Sequence, residues 1–390
     1  MLKLPVYLDH NATTPCDPRV LEAMIPYFTA NFGNAASRNH AYGWHAEEAV
    51  KYGREQVAKL IGAEPEEIIF TSGATEADNL ALKGVFETYS GKGNHIITCK
   101  IEHRAVLDTC RHLEKMGAEI TYLSVRKDGL IDLDEIERSF KPTTILVAVM
   151  YANNEIGTVM PIKEISAIAK KKGVLFFTDA TQAVGKIPVN VHEDGIDVMA
   201  FNAHKIYGPK GIGALYVRRK NPRVKVAAQM DGGGHERGMR SGTLNVPAIV
   251  GFGQACEICL NEMSWDAERI KPLRDKLELS LLNLKAACIN GNKQYRLPHV
   301  TNMSFNYTDS EALMTLFNKD IAVSSGSACM SASLEPSYVL KALGLGDDMA
   351  RGSLRFSLGR FTTSEEIDYA IEKVTNAVTE LREMSTYLEK

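Results

Sequence analysis

Val174-Leu175-Phe176-Phe177-Thr178-Asp179-Ala180-Thr181-Gln182 is the stretch from which the rest of the chain can be read. Val174 to Thr178 is a short apolar and β-branched run, the signature of a buried strand, and a lone acid stands at its carboxyl end. Similar runs recur at Glu67 to Thr71, His95 to Thr98, Glu119 to Leu123, Thr144 to Met150, Val198 to Phe201 and Gly213 to Val217. Amphipathic patterns fill the intervals. Ala46 to Leu60 sets Ala49, Val57 and Leu60 at helical spacing among charges, and Glu76 to Thr88 follows a glycine-bearing turn. Strand-helix units repeated in this way predict an α/β class built around a largely parallel sheet.

Past Ile270 the pattern changes to a long charged helix, short strands at Val300 to Asn306 and Ala322 to Ser324, and a final amphipathic helix from Ser364 to Leu381. A chain of 390 residues suits a large domain with a smaller partner. The expected division is 15–260 for the large α/β domain, with 1–14 and 261–390 forming a small α+β domain. No repeat, low-complexity tract or Pro-rich linker interrupts the chain, so the two parts are expected to pack closely.

Lys and Arg total 45 against 48 Asp and Glu, a net charge of -3. That leaves no basic excess for phosphate backbones, so no nucleic-acid partner is expected. Mean hydropathy is -0.15, and no apolar run approaches the ~18 residues of a membrane span. Met1 to Asp9 lacks the charged head, apolar centre and cleavage site of an export signal, so the expected setting is the cytoplasm. Seven cysteines do not suggest a disulfide framework there. Cys99, Cys110, Cys256 and Cys288 read as small core residues, and Cys256-Glu257-Ile258-Cys259, with no second pair at zinc spacing, reads as two packed thiols instead of a metal site.

Four segments could carry chemistry, the first three each with a plainer alternative. Lys205, in Asn202-Ala203-His204-Lys205-Ile206-Tyr207-Gly208-Pro209, is squeezed between small and aromatic residues. In a dry pocket such an amine loses its proton readily and can form a Schiff base, whereas in a Gly-Pro turn it is a surface lysine. Ser72-Gly73-Ala74-Thr75-Glu76 leads from a strand into a helix, where amides and the Thr75 hydroxyl could meet a phosphate or merely cap the helix. Asp179 could keep a pyridine nitrogen protonated, with Gln182 on a ring hydroxyl, or it could close a turn. His103, at another strand end, could stack on a flat cofactor and move protons. Strand carboxyl ends are where open α/β sheets bind ligands, so one crevice could collect all four.

Tyr7-Leu8-Asp9-His10-Asn11-Ala12-Thr13-Thr14-Pro15, Thr71 to Glu76, Asn153-Asn154-Glu155-Ile156-Gly157, Asp179 to Gln182, His204-Lys205, Gly232 to Thr243 and Ser324-Ser325-Gly326-Ser327-Ala328-Cys329 occur in this order. From about Leu4 to Leu381 the chain resembles the cysteine desulfurases, in particular the housekeeping type that serves iron-sulfur cluster assembly. The resemblance implies fold type I, the aminotransferase-like fold of pyridoxal 5'-phosphate enzymes, and a homodimer with active sites near the subunit interface. It implies Lys205 as the Schiff-base lysine, Asp179 and Gln182 as partners of the ring nitrogen and hydroxyl, and His103 as the stacking acid-base group. Ala74, Thr75, Asn202 and His204 fall to the cofactor, Thr243 to the phosphate of the other subunit, Asn154 to cofactor or substrate, and Arg355 to the substrate carboxylate.

The same resemblance makes Cys329 the nucleophile that takes sulfur from L-cysteine and holds it as a persulfide, for an iron-sulfur scaffold protein or another acceptor. Its Gly-Ser lead reads as an exposed loop. No resident metal is implied, and Cys329 is the candidate ligand of a transient iron-sulfur cluster. Two features depart from the family's usual pattern. Asn202 stands where a serine is usual, and the chain ends soon after its last helix, where relatives often carry a scaffold-docking tail. A selenocysteine lyase, a cysteine-sulfinate desulfinase and a non-catalytic assembly subunit are the rival readings.

Overall fold

The computed structural model describes residues 2–325 and 335–384. A seven-stranded sheet runs in the order Ile68–Thr71, Gly213–Val217, Val198–Asn202, Leu175–Asp179, Thr144–Ala148, His95–Cys99, Glu119–Leu123. Gly213–Val217 is antiparallel to both neighbours. The remaining strands share one direction. All the expected strands are present, with ends within two residues of the expectation. The largest change is at Met150, read as strand, where the backbone N–H instead donates to the Glu102 carboxylate at 2.6 Å.

The strands read as continuous apolar runs because both faces of the sheet are covered. Alternate residues enter different cores: Ile68, Phe70, Ile97, Val147, Phe176, Met199 and Tyr216 pack on one side, and Ile69, Ile96, Leu146, Phe177, Val198 and Leu215 on the other. The first face meets helices Ala41–Leu60 and Val246–Leu281, and the second meets Ala74–Tyr89 and Arg104–Lys115.

A second, antiparallel sheet of four strands follows the order Ser324–Ser325, Ser353–Ser357, Val300–Phe305, Ala287–Asn290. Leu8, Leu277, Met303, Phe305, Phe356, Ile367 and Val374 form its core beneath helix Ser364–Met384. The strand expected at Ala322 to Ser324 is two short pieces: Ile321–Ala322 pairs with Val6–Tyr7, and Ser324–Ser325 forms the sheet edge. The helix expected to follow Ile270 belongs to a 36-residue helix, Val246–Leu281, that contains Pro272. It begins at the Asn245 cap, passes through residue 260 and contributes to the cores of both sheets. The Cys256 and Cys259 side chains lie in the large core, where burial pushes both thiols up. Cys99 and Cys110 are also buried, while Cys288 is only half-buried. Among the described residues no helix is long and apolar enough to cross a membrane.

The segment Gly232–Thr243 is anchored by a buried ion pair. Glu236 accepts from Arg54 at 2.6 and 2.8 Å and from the Phe70 amide at 2.7 Å, with side chains 1% and 11% exposed for Glu and Arg. Removing one member leaves the other buried and unpaired, the costly case for such pairs. Arg54→Ala is expected to lose about 3–5 kcal/mol in denaturant unfolding, and adding Glu236→Ala should cost little more. Additive losses would show that the two residues act independently.

Candidate active site

Because these strands point one way, Thr71, Cys99, Ala148, Asp179 and Asn202 end at the same rim of the sheet. The connections that follow line a cavity of about 660 Å³, a volume in the usual range for cofactor sites. Ala74, Thr75, His103, Asn154, Asp179, Gln182, Asn202, His204, Lys205 and Arg355 all line it. Thr243 is exposed and lies outside this lining. Cys329 lies outside the described residues.

Lys205 follows the strand Val198–Asn202, and its Nζ donates to the Asn11 carbonyl and, at 2.6 Å, to the Ala12 carbonyl. Asn202 Oδ1 accepts the Lys205 amide at 3.3 Å. That bond uses the carbonyl side of the residue standing at the usual serine position, so its NH₂ group keeps two donors. His204 shares a 3.1 Å contact between Nδ1 and Thr13 Oγ1. Burial, with Lys205 and Lys210 nearby, pushes this ring down to about 4, so it is neutral at neutral pH.

Asp179 ends its strand, and its Oδ1 accepts the Thr181 amide at 2.9 Å. His103 caps helix Arg104–Lys115, with Nδ1 accepting the Ala105 amide at 3.1 Å. The neutral ring therefore carries its proton on Nε2. Gln182 Nε2 donates to the Asn11 carbonyl at 3.1 Å. Opposite them, helix Ala74–Tyr89 opens with no side-chain cap, leaving its first N–H groups and positive dipole end toward the cavity. Gly213 allows this turn to sit close, since a Cβ there would lie 2.7 Å from the Gly73 backbone.

Arg355 comes from the small sheet. Its guanidinium donates to Asp9 Oδ1 at 2.7 Å, Ser324 Oγ at 3.0 Å and the Asn154 carbonyl at 3.0 Å. Asn154 Oδ1 is buried without a partner among the described residues. The polar wall is larger than the sequence reading allowed: Asp9, Asn11, Thr13, Lys210 and Ser324 also line the cavity. For Asp9, Asn11 and Thr13 the signal was the dense polar run from Asp9 to Thr14, which periodicity alone treats as a connection.

The arrangement has three poles: an amine, a strand-end carboxylate and a helix N-terminus. Together they match the aldehyde, ring nitrogen and phosphate of pyridoxal phosphate, and the unpaired Asn154 oxygen shows polar capacity still unused. The residues present fit that group.

The profile of the family described as Aminotransferase class-V matches residues 6–370. "Cysteine desulfurase IscS" of Pectobacterium carotovorum subsp. carotovorum (strain PC1) is 56% identical over 386 residues, 98% of this chain and 95% of its own length. The protein of the same description from Anaeromyxobacter dehalogenans (strain 2CP-C) is 56% identical over 389 residues, 100% of this chain and 96% of its own. Among solved structures, a "NIFS-LIKE PROTEIN" superposes with a TM-score of 0.90 at 39% identity, covering 96% of this chain and 100% of that one. "SspA in complex with cysteine" gives a TM-score of 0.80 at 35% identity, over 92% and 100%. With this agreement over nearly the whole length, and a cavity whose poles suit pyridoxal phosphate, the chain belongs to the class-V aminotransferase family and, within it, to the cysteine desulfurases.

Proposed function

We propose that this cavity removes sulfur from L-cysteine, releases L-alanine and leaves the sulfur as a persulfide on Cys329, for iron-sulfur cluster assembly or other thiolation acceptors. The observation that carries this reading is the meeting of Lys205, Asp179 and Arg355 in one cavity. A cofactor amine, a ring-nitrogen acid and an amino-acid carboxylate clamp are the minimum set for chemistry at an amino acid's Cα.

When bound, pyridoxal phosphate supplies an electron sink for the negative charge that develops at the substrate Cα. Lys205 would hold its aldehyde, Asp179 its ring nitrogen and Gln182 its ring hydroxyl. Ala74, Thr75, Asn202 and His204 would hold the phosphate, with His103 as the acid-base group beside them. Arg355 takes the substrate carboxylate by exchanging its present partner Asp9 for it, and Asn154 lies beside the same carboxylate. Lys205 would remove the Cα proton, and His103 and Lys205 would return protons to carbon. The Cys329 thiolate attacks the substrate sulfur, the carbon–sulfur bond breaks, and the carbon is protonated. Cysteine and a protein thiol thus become alanine and a protein persulfide with no outside oxidant.

Reach supports the nucleophile. Ser324 lines the cavity, and Cys329 is four residues beyond Ser325, a separation an extended chain spans in at most about 14 Å. We assign residues 15–260 to cofactor binding and 1–14 with 261–390 to substrate carboxylate and sulfur, in a cytoplasmic setting that keeps the thiol reduced. The working unit is a homodimer with an iron-sulfur scaffold as one acceptor. Supporting the dimer, Leu21, Ile25, Phe28, Phe32, Tyr42 and Trp44 are each half or more exposed within one stretch of chain, an apolar concentration that marks an interface. Thr243, on the surface of its own chain, serves the partner's phosphate.

Cys329→Ser is expected to abolish alanine release from L-cysteine while leaving the cofactor's absorption spectrum at that of the parent. Retained turnover would remove Cys329 from the mechanism. Ile25→Asp with Phe28→Asp is expected to give monomers in sedimentation velocity, with weaker cofactor retention, and a dimer unchanged by both charges would move the interface elsewhere.

A further inference from the structure

Behind Asp179 lies a second acid that the mechanism above does not use. Asp78, on helix Ala74–Tyr89, has no solvent exposure, and neither carboxyl oxygen has a hydrogen-bond partner among the described residues. One of its oxygens, one Asp179 oxygen and a ring nitrogen of His103 lie within 4.8 Å of one another. Glu102, also fully buried, is the next acid in the group. One of its oxygens accepts the Met150 amide, and the other is unpartnered among the described residues.

The groups acting on Asp78 from the elements packed around it are thus Asp179, Glu102 and the His103 ring. Arg104, the next residue, stacks on Tyr338 at 4.4 Å. Two carboxylates as close and as dry as Asp78 and Asp179 do not both ionise readily. Asp179 faces the cavity and accepts the Thr181 amide, whereas neither Asp78 oxygen has a partner among the described residues. Burial, with Asp179 and Glu102 nearby, pushes Asp78 well above the usual carboxyl range, and Glu102 is pushed the same way. Burial thus favours the protonated form of each.

We propose that Asp78 is a positioning residue: a neutral carboxylic acid that donates its proton toward Asp179, keeping Asp179 ionised and aimed at the ring nitrogen of the bound cofactor. A hydrogen bond given to a carboxylate favours its charged form and fixes its rotamer, whereas an ionised Asp78 would drive Asp179 to take up a proton. A ligated metal ion does not explain the trio as well, because a metal needs the carboxylates ionised, the state this dry pocket opposes.

The inference rests on the cofactor reading above, and the test separates the two. Infrared spectra of the protein stripped of cofactor are compared for the parent, Asp78→Asn and Asp78→Leu. The carbonyl band of a protonated carboxylic acid is expected to lose intensity in both variants. An unchanged band overturns the proposal whatever the enzyme does, while a parent that fails to bind pyridoxal phosphate overturns the functional reading instead. On adding cofactor, Asp78→Leu is expected to raise its dissociation constant and lower kcat by roughly tenfold or more, the worth of a hydrogen bond to a charged group. It should also move the pH dependence of the cofactor's absorbance. Asp78→Asn, neutral and still a donor, should rescue most of both losses. Asparagine as damaging as leucine, or leucine as good as the parent, would overturn the role.

Discussion

Asn11 satisfies every one of its polar groups by joining two layers of the molecule. Its amide donates to Ser357 Oγ at 2.9 Å and its Nδ2 to the Asn154 carbonyl at 2.9 Å, its carbonyl accepts from Gln182 and Lys205, and its Oδ1 meets His299 Nε2 at 2.8 Å. Burial pushes His299 well below its ordinary value, so the ring is neutral and its Nε2 proton can serve Asn11. The small sheet, the strand-end connections and Lys205 are thereby held to one residue. Buried polar groups so paired resist displacement, since each lost bond leaves an unsatisfied partner.

Around this hub the wall of the cavity divides by origin. The parallel strands deliver the acid, the amine and the histidine from their carboxyl ends, while the small sheet delivers Arg355, in register with Ser324 on the edge strand. Asp9 meets both parts of that edge, accepting from Ser324 Oγ at 2.9 Å and from Arg355. Arg355 and the start of the segment leading to Cys329 thus share one carboxylate.

One of the buried acids near Asp179 also reaches the end of the sheet. Glu102 takes the Met150 amide, and Val149 donates to the Phe177 carbonyl at 3.1 Å. Tyr151 likewise donates to the Asp179 carbonyl at 2.9 Å, although the strand itself ends at Ala148. Glu102, which takes the Met150 amide, acts electrostatically on Asp78 as well.

Much of this was open to a reader of the sequence. Runs such as Glu119–Leu123 and Gly213–Val217 marked strands to the residue, because apolar β-branched stretches bounded by polar turns have few other uses. The order of Asp179, His204-Lys205 and Arg355 among recognisable motifs pointed to the cofactor and the substrate carboxylate. Pattern could not show that Val246–Leu281 is one helix, since its inward face changes from one core to another and Pro272 sits within it. Nor could it show Asn11 as the joint of the cavity or Asp78 as a buried acid. A lone aspartate in an amphipathic helix reads as solvated, and an asparagine in a polar run reads as a turn. Residue type and spacing settle which chemistry a chain can hold. Which polar group loses its water, and to which partner it then turns, depends on segments hundreds of residues apart meeting in space, and that was decided only when the chain folded.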